Sequence, residues 1–296
     1  MFPVSQANSI ERGLCRVARA ARSHRAVLFL AALALSMVCF EALPADTLEG
    51  SLAQSAALAA LALAAVALSD PRSLRVRSAR NHASARSESA PAAFRAGRLR
   101  GWTAYLLVVG LAAGAVSALL AASPGSAPFS DGASSHPLVA RVALVAAICL
   151  FTGVFEEGLF RAVALDALRP AFGPGRRGVV LAALASSVLF GALHVSTGDA
   201  ATAGSAVAWL QLLLKPVQAM LFGFFMAALF VRTRSLWAVA GAHALFDLLY
   251  TGPVAVLTGA SQATYVTGSA PDLVLLAATT ALLVPSAIAA YRSLSA

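Results

Sequence analysis

The sequence predicts an all-α integral membrane protein, a polytopic bundle of about eight transmembrane helices. Of its 296 residues, 59% are hydrophobic and only 12% are charged, and the mean hydropathy is +0.79. Soluble domains carry about 25% charged residues, so the composition excludes an ordinary soluble protein. Only helices and closed barrels satisfy the backbone in lipid, and the long Ala/Leu-rich runs lack the alternation of barrel strands.

Apolar segments define the predicted spans, and the second and seventh are the shortest. They are residues 26–43, 52–68, 102–122, 138–168, 179–197, 207–231, 236–251 and 272–291. We interpret the first as a retained span rather than a cleaved signal, because a long Arg-rich segment precedes it and LPADT is a poor cleavage site. The scattered cysteines Cys15, Cys39 and Cys149 predict no disulfide framework.

Positive charge alternates between loops and predicts the orientation. Arg residues concentrate before the first span, in loops 69–101, 169–178 and 232–235, and after the last span. The intervening loops contain no Lys or Arg. Since cytoplasmic loops carry the excess of basic residues, both termini are predicted to be cytoplasmic. We therefore interpret the net charge of +9 as setting the orientation in the membrane and attracting anionic lipids at the cytoplasmic face. Nucleic-acid binding is not indicated.

The distribution of charge divides the chain into two parts. Residues 1–101 hold a basic cytoplasmic segment, two spans and an Arg-rich loop, and residues 102–296 hold the other spans. Segment 10–25 separates Arg from apolar residues, which fits either a helix on the membrane surface or a disordered basic tail. Segment 72–100 is interpreted as a cytoplasmic linker. One Lys against twenty-one Arg indicates a GC-rich genome, so the predicted location is a bacterial inner membrane.

Polar residues inside the spans form the candidate site. They are Glu156, Glu157 and Arg161 on the fourth span, His194 on the fifth, and His243 and Asp247 on the seventh. The pairs Glu157/Arg161 and His243/Asp247 are spaced i,i+4, so each pair shares a helix face. Counted from the flanking cytoplasmic Arg at about 1.5 Å per residue, the groups fall in one layer of the bilayer. Ionisable groups are costly there and indicate a function.

Other residues in the spans have structural interpretations. Lys215 is predicted to extend to the membrane surface or to serve a helix kink. Asp166 is predicted to pair with Arg169 at the interface, and Phe160 and Phe190 are predicted to pack in the core.

The site chemistry fits hydrolysis of an amide, which needs an activated water and a stabilised oxyanion. Glu156 or Glu157 is the candidate general base. The histidines are candidates either to bind Zn²⁺ or to position the water directly. The structural alternative is an ion pair that packs helices, although one Arg leaves one of two adjacent acids unpaired.

Three motifs resemble those of the CAAX protease and bacteriocin-processing (CPBP) family of intramembrane proteases. EEGLFR is similar to its EExxxR motif, FGALH to FxxxH and HALFD to HxxxN/D. They occur in the family's order on separate spans, within residues 138–250. The resemblance implies an integral membrane endopeptidase related to the type II CAAX prenyl endopeptidase.

The resemblance also implies roles for the candidate residues. Glu156 would activate the water, Arg161 would support the glutamate pair, and His194, His243 and Asp247 would complete the site. These last three are the candidate ligands if Zn²⁺ is bound, and a metal-free glutamate–histidine mechanism remains open. Where the family motif allows Asn, ionised Asp247 accepts hydrogen bonds only, which favours a metal ligand or a residue that orients His243.

The predicted substrate is a membrane-associated protein or peptide, and the composition argues against prenylated CAAX proteins. Two other functions are considered: a non-catalytic membrane scaffold or immunity-type protein that binds a partner, and a proton-coupled transporter. No inverted repeat supports the transporter.

Overall fold

The structure, a computed structural model, describes residues 23–75, 90–122, 136–259 and 266–295. These residues form helices and connecting turns and contain no strand. Seven helices are long and apolar enough to cross a membrane, and a bent pair of helices makes up to eight. The predicted fold class, an all-α polytopic membrane protein, is confirmed.

The helices are α1 (Arg25–Ala42), α2 (Leu48–Ser69), α3 (Ala90–Ala121), α4 (Leu138–Glu157), α5 (Gly175–Ala192), α6 (Thr197–Thr202), α7 (Ala206–Thr233), α8 (Leu236–Tyr250), α9 (Gly252–Thr258) and α10 (Ala270–Ser295). The fourth span continues beyond α4 as a π-helix (Gly158–Ala164), a short α-helical turn (Leu165–Leu168) and a 3-10 turn (Arg169–Phe172). We call these three pieces together the α4 extension.

The prediction of a linker at 72–100 is wrong for residues 90–100. Helix α3 begins at Ala90, so residues 90–100 are helical. Pro91 stands in the first turn, where a missing backbone N–H costs nothing, and the alanines after it favour helix. Of the predicted surface segment 10–25, residues 10–22 lie outside the described residues.

The seventh predicted span is broken. Helices α8 and α9 meet at Thr251 and differ in direction by 53°. The sequence Gly252-Pro253 explains the break, because Pro has no N–H for the helix and disfavours helical backbone in the residue before it.

Small residues bring the central helices close together. Helix α7 packs against α5 and α10, and α4 packs against α2 and α8. A Cβ added at Gly114 would meet the Leu249 carbonyl oxygen, and one at Gly153 would meet that of Ala240 at 2.7 Å. Such contacts are typical of membrane helices, where small residues let backbones approach.

Loops predicted to lie on one side of the membrane do meet at one end of the bundle. Arg25, Arg72, Arg169 and Arg234, from four different connections, line a common pocket. The relative sidedness of these loops therefore agrees with the charge pattern. The assignment of that end to the cytoplasm stays a prediction.

Candidate active site

Glu157, the last residue of α4, lies at the centre of a buried polar cluster. Its carboxylate is fully enclosed by protein. Oε1 accepts a hydrogen bond of 2.7 Å from Nδ1 of His243, and Oε2 accepts one of 3.0 Å from Nε of Arg161. The two donors come from α8 and the π-helix, so this carboxylate joins two of the three elements predicted to form the site.

Arg161 is also fully buried, and the aromatic core holds it in place. Its guanidinium carbon lies 4.7 Å from the centre of the Phe190 ring, and Nη1 lies 3.4 Å from Oγ of Ser186. Ser186 donates in turn to the Phe160 carbonyl at 2.7 Å. Nη2 has no hydrogen-bond partner among the described residues. Arg161 is thus fixed by one ion pair and by stacking.

The Arg161 pair forms where the helix changes type. The motif EEGLFR crosses from the α-helix into the π-helix at Gly158. A π-turn inside an α-helix is uncommon and often occurs at functional sites. Gly158 packs against Ala62 of α2, where an added Cβ would lie 3.1 Å from the alanine methyl. The sequence predicted the i,i+4 contact but not the widened helix.

His243 connects the buried carboxylate to the other two acids. Its Nε2 lies 3.3 Å from Oε2 of Glu156 and 3.3 Å from Oδ2 of Asp247. With Glu157 on Nδ1, the imidazole has carboxylates at both nitrogens, and only the imidazolium form donates from both. The Phe222 ring packs edge-on at 4.8 Å from the imidazole. This arrangement favours a positively charged His243.

The two neighbouring glutamates have different surroundings. The side chain of Glu156 is 19% exposed, whereas that of Glu157 is 0% exposed. Glu156 lines a pocket of about 350 Å³ between α1, α2 and α4, together with Gln54 and Thr152. Gln54 Nε2 donates to the Leu43 carbonyl at 2.6 Å and so fixes the turn beside the pocket. Glu156 is therefore the glutamate that faces a cavity.

His194 was predicted to lie on the fifth span, 179–197, but the structure places it beyond the end of the helix. Helix α5 ends at Ala192, and His194 N–H bonds to the Gly191 carbonyl at 3.0 Å in the turn that follows. Its Nδ1 contacts the Phe190 carbonyl at 2.8 Å, and its ring lies 4.4 Å from the Phe190 ring. The helix ends here because Ser196 and Asp199 form a capping box that starts α6.

The structure thus brings five of the six predicted residues into one network of hydrogen bonds and ion pairs. His194 is the exception: among the described residues, its side chain is hydrogen-bonded to the Phe190 carbonyl and not to the other five. The Phe190 ring contacts Arg161, His194 and His243. The centres of the Phe190 and His243 rings are 6.2 Å apart. Phe190 was predicted only as a core residue, and its i−4 spacing from His194 was the available signal.

Gly153 positions the two helices that carry the network. It contacts the backbone of Ala240, as described above, one turn from the Glu157–His243 hydrogen bond. The close approach of α4 to α8 is what allows that hydrogen bond to form. No role was predicted for Gly153, since glycine is frequent in membrane helices.

The prediction that Lys215 extends to the membrane surface is wrong. Lys215 is only 5% exposed, and its Nζ donates to Oε1 of Gln218 at 3.0 Å. Nζ also lies 6.0 Å from the centre of the Tyr250 ring. A polar partner at i+3 made burial of the charge feasible, and hydropathy alone does not reveal it.

A resident metal ion does not fit the side chains as they are placed. In the part of the chain that the structure describes, no group of three or more His, Cys, Asp or Glu side chains has the arrangement of a metal site. His194 in particular has its Nδ1 hydrogen-bonded to the Phe190 backbone carbonyl at 2.8 Å. We therefore derive no step through a metal.

These features define a class: a polytopic membrane protein with a buried Glu–Arg–His cluster that opens to an internal pocket. Residues 138–249 match the family model described as type II CAAX prenyl endopeptidase Rce1-like. This segment spans less than half of the chain, contains all six candidate residues and is similar to the CAAX protease family. The family resemblance predicted from three motifs is confirmed. No curated protein and no solved structure matches the chain.

Proposed function

We propose that the chain is an intramembrane endopeptidase that hydrolyses peptide bonds of membrane-associated proteins or peptides, with Glu156 as the general base. The observation that carries the proposal is the difference between the two glutamates. Glu157 is enclosed and already accepts two hydrogen bonds, whereas Glu156 faces both His243 and a pocket. A water in that pocket would lie within reach of the Glu156 carboxylate.

The proposed reaction uses the groups of this chain directly. Glu156 takes a proton from the water while the water oxygen bonds to the substrate carbonyl carbon. The proton passes from Glu156 to the leaving nitrogen as the C–N bond breaks, which returns the carboxylate to its starting state. His243, held as an imidazolium between Glu156, Glu157 and Asp247, favours the negative charge that develops on the carbonyl oxygen.

Arg161 and Glu157 are positioning residues in this proposal. Glu157 fixes the ring of His243 through Nδ1, and Arg161 fixes Glu157. His194 donates Nδ1–H to a carbonyl, which leaves Nε2 as an acceptor for a water or for a polar group of the substrate. Asp247 orients His243 from the other side.

The pocket supports a peptide substrate that enters from within the membrane. Its wall combines Phe40 and Leu58 with the polar side chains of Ser55 and Thr152. Apolar walls with a few placed polar groups are typical of ligand sites. The single Lys among twenty-two basic residues still argues for a bacterial peptide or membrane protein rather than a prenylated CAAX protein.

The test compares peptide termini in host membranes that contain the wild type, Glu156→Gln or the control Glu49→Gln at matched expression. We expect new termini with the wild type and the control only. Identical termini in all three samples would overturn the proposal and favour the scaffold. A general base contributes about 10²- to 10⁴-fold, so Glu156→Gln should lose at least that factor in cleavage of any peptide identified.

A pair of bulky substitutions on α4 tests the pocket without changing the acids. Thr152→Phe fills the pocket next to Glu156, and Leu150→Phe adds the same ring at a position 46% exposed. We expect cleavage to be lost only in Thr152→Phe, with both variants equally stable to heating in detergent. Equal activity of the two variants would show that substrate uses another route.

Metal analysis separates the two forms of the mechanism. The proposal without metal predicts full cleavage after purification with a strong chelator, and no zinc in the active sample. Stoichiometric zinc that falls in His194→Ala, together with loss of cleavage on chelation, would instead support zinc held by His194, His243 and Asp247.

A further inference from the structure

Outside the candidate active site, a charged pocket of about 650 Å³ lies where four connections meet. We call it the arginine pocket. Its charged wall consists of Arg25, Asp70, Arg72, Asp166, Arg169 and Arg234. We propose that the arginine pocket binds a phosphate-bearing anion, and that the headgroup of an anionic phospholipid supplies it.

The ion pairs in the pocket leave positive charge in excess. Asp166, which is 6% exposed, pairs with Arg25 at 3.7 Å and with Arg234 at 3.4 Å, not with Arg169 as predicted. Asp70 pairs with Arg234 at 3.5 Å. Among the described residues, Arg72 and Arg169 form no ion pair. Two guanidinium groups therefore line the pocket without a carboxylate, and planar guanidinium groups are well suited to phosphate.

Arg234 is held rigidly in this wall. Its backbone adopts the left-handed conformation with φ 50°, which ends α7 and lets its N–H bond to the Phe230 carbonyl at 2.7 Å. The guanidinium carbon stacks 5.2 Å from the centre of the Phe230 ring. A non-glycine residue with positive φ is uncommon and carries strain, which tends to persist at functional sites.

A neighbouring pocket favours a lipid over a free anion. This second pocket, of about 330 Å³, shares Arg169 and adds Arg176 beside the apolar side chains of Val179, Val231 and Leu294. Both pockets lie at the ends of helices that are long and apolar enough to cross a membrane. Basic pockets between membrane helices on the cytoplasmic side are a recognised mode of binding such headgroups.

Binding is measured by native mass spectrometry on the full chain in detergent, with phosphatidylglycerol and phosphatidylcholine as probes and inorganic phosphate as a separate arm. The double variant Arg72→Gln/Arg169→Gln removes the two unpaired guanidinium groups and leaves the ion pairs of Asp166 intact. Its matched control is Arg100→Gln/Arg292→Gln, which removes the same charge from exposed positions. Thermal unfolding in detergent checks that both variants are folded.

We expect the wild type to prefer phosphatidylglycerol and the control to keep that preference. Each Arg near the membrane surface increases the affinity for an anionic lipid by about fivefold. We therefore expect the double variant to bind phosphatidylglycerol about thirtyfold more weakly than the wild type. Equal affinity of all three proteins, or equal loss in the control, would overturn the site. If millimolar inorganic phosphate displaced phosphatidylglycerol, and the acyl chains added no affinity, the ligand of the pocket would be free phosphate and not a lipid headgroup. The test needs no proteolysis and stands apart from the proposed function.

Discussion

Two carboxylates of the fourth span each pair with an arginine, and they show how burial changes the role of the same interaction. Glu157–Arg161, in the candidate active-site cluster, is 3.0 Å long, and both side chains are 0% exposed. Asp166–Arg234, in the arginine pocket, is 3.4 Å long, with side chains 7% and 39% exposed. The first cannot exchange its partner for water, whereas the second can. The first therefore fixes geometry, and the second leaves room for an external anion.

Loss of Arg161 should give the largest effect. Arg161→Gln leaves the Glu157 carboxylate buried with one partner fewer, and breaking a buried pair costs about 3–5 kcal/mol. We expect a clearly lower thermal unfolding temperature in detergent, together with loss of cleavage. Arg234→Gln is the comparison at the other contact, where exposed pairs contribute up to about 1 kcal/mol. Equal destabilisation by the two variants would contradict the contrast between the regions.

The two glutamates sharpen the contrast within the cluster. Glu156→Gln should reduce cleavage by about 10²- to 10⁴-fold and leave thermal unfolding close to that of the wild type, because its side chain is partly exposed. Glu157→Gln should lower both, since an amide cannot accept from Arg161 and His243 as the carboxylate does. Unfolding measurements and cleavage of one peptide, made on the same preparations, check this. Similar stability of both variants would show that Glu157 does not hold the cluster together.

Gly223 tests how tightly the cluster is packed. A Cβ at this position would lie 2.8 Å from Nη2 of Arg161 and 2.8 Å from the Phe190 ring, both fully buried. Gly223→Ala should therefore destabilise by about 1–3 kcal/mol, the usual cost of overpacking. Gly241→Ala on α8 is the control, because nothing lies within 4 Å of its added Cβ. Unfolding temperatures that fall equally would indicate a general helix effect instead.

Much of the site follows from the sequence because its geometry is local. The i,i+4 spacing placed Glu157 against Arg161 and Asp247 against His243, and both contacts are present. Depth counted from flanking charges correctly brought α4 and α8 to the same layer. His194 was misplaced by the helix end, which depends on a capping box rather than on hydropathy.

Two further errors, at Asp166 and Lys215, arise from contacts that the tertiary fold supplies. Asp166 has Arg169 three residues away, yet it binds Arg25 and Arg234 because the fold brings two further helix ends beside it. Lys215 is buried because Gln218 and Tyr250 offer polar and aromatic contacts inside the bundle. Hydropathy and spacing register the charge itself but not the contacts that tertiary packing supplies.

The smallest predicted effect concerns salt at the arginine pocket. The Arg234 contacts with Asp70 and Asp166 are partly exposed, so ions screen them, whereas the enclosed Glu157–Arg161 pair is screened much less. Raising the salt concentration should therefore reduce the stability difference between the wild type and Arg234→Gln, from up to about 1 kcal/mol toward zero. The difference caused by Arg161→Gln should change little over the same range. Unfolding curves at low and high salt measure both differences. If the stability difference caused by Arg161→Gln also changed with salt, water would reach the candidate active-site cluster.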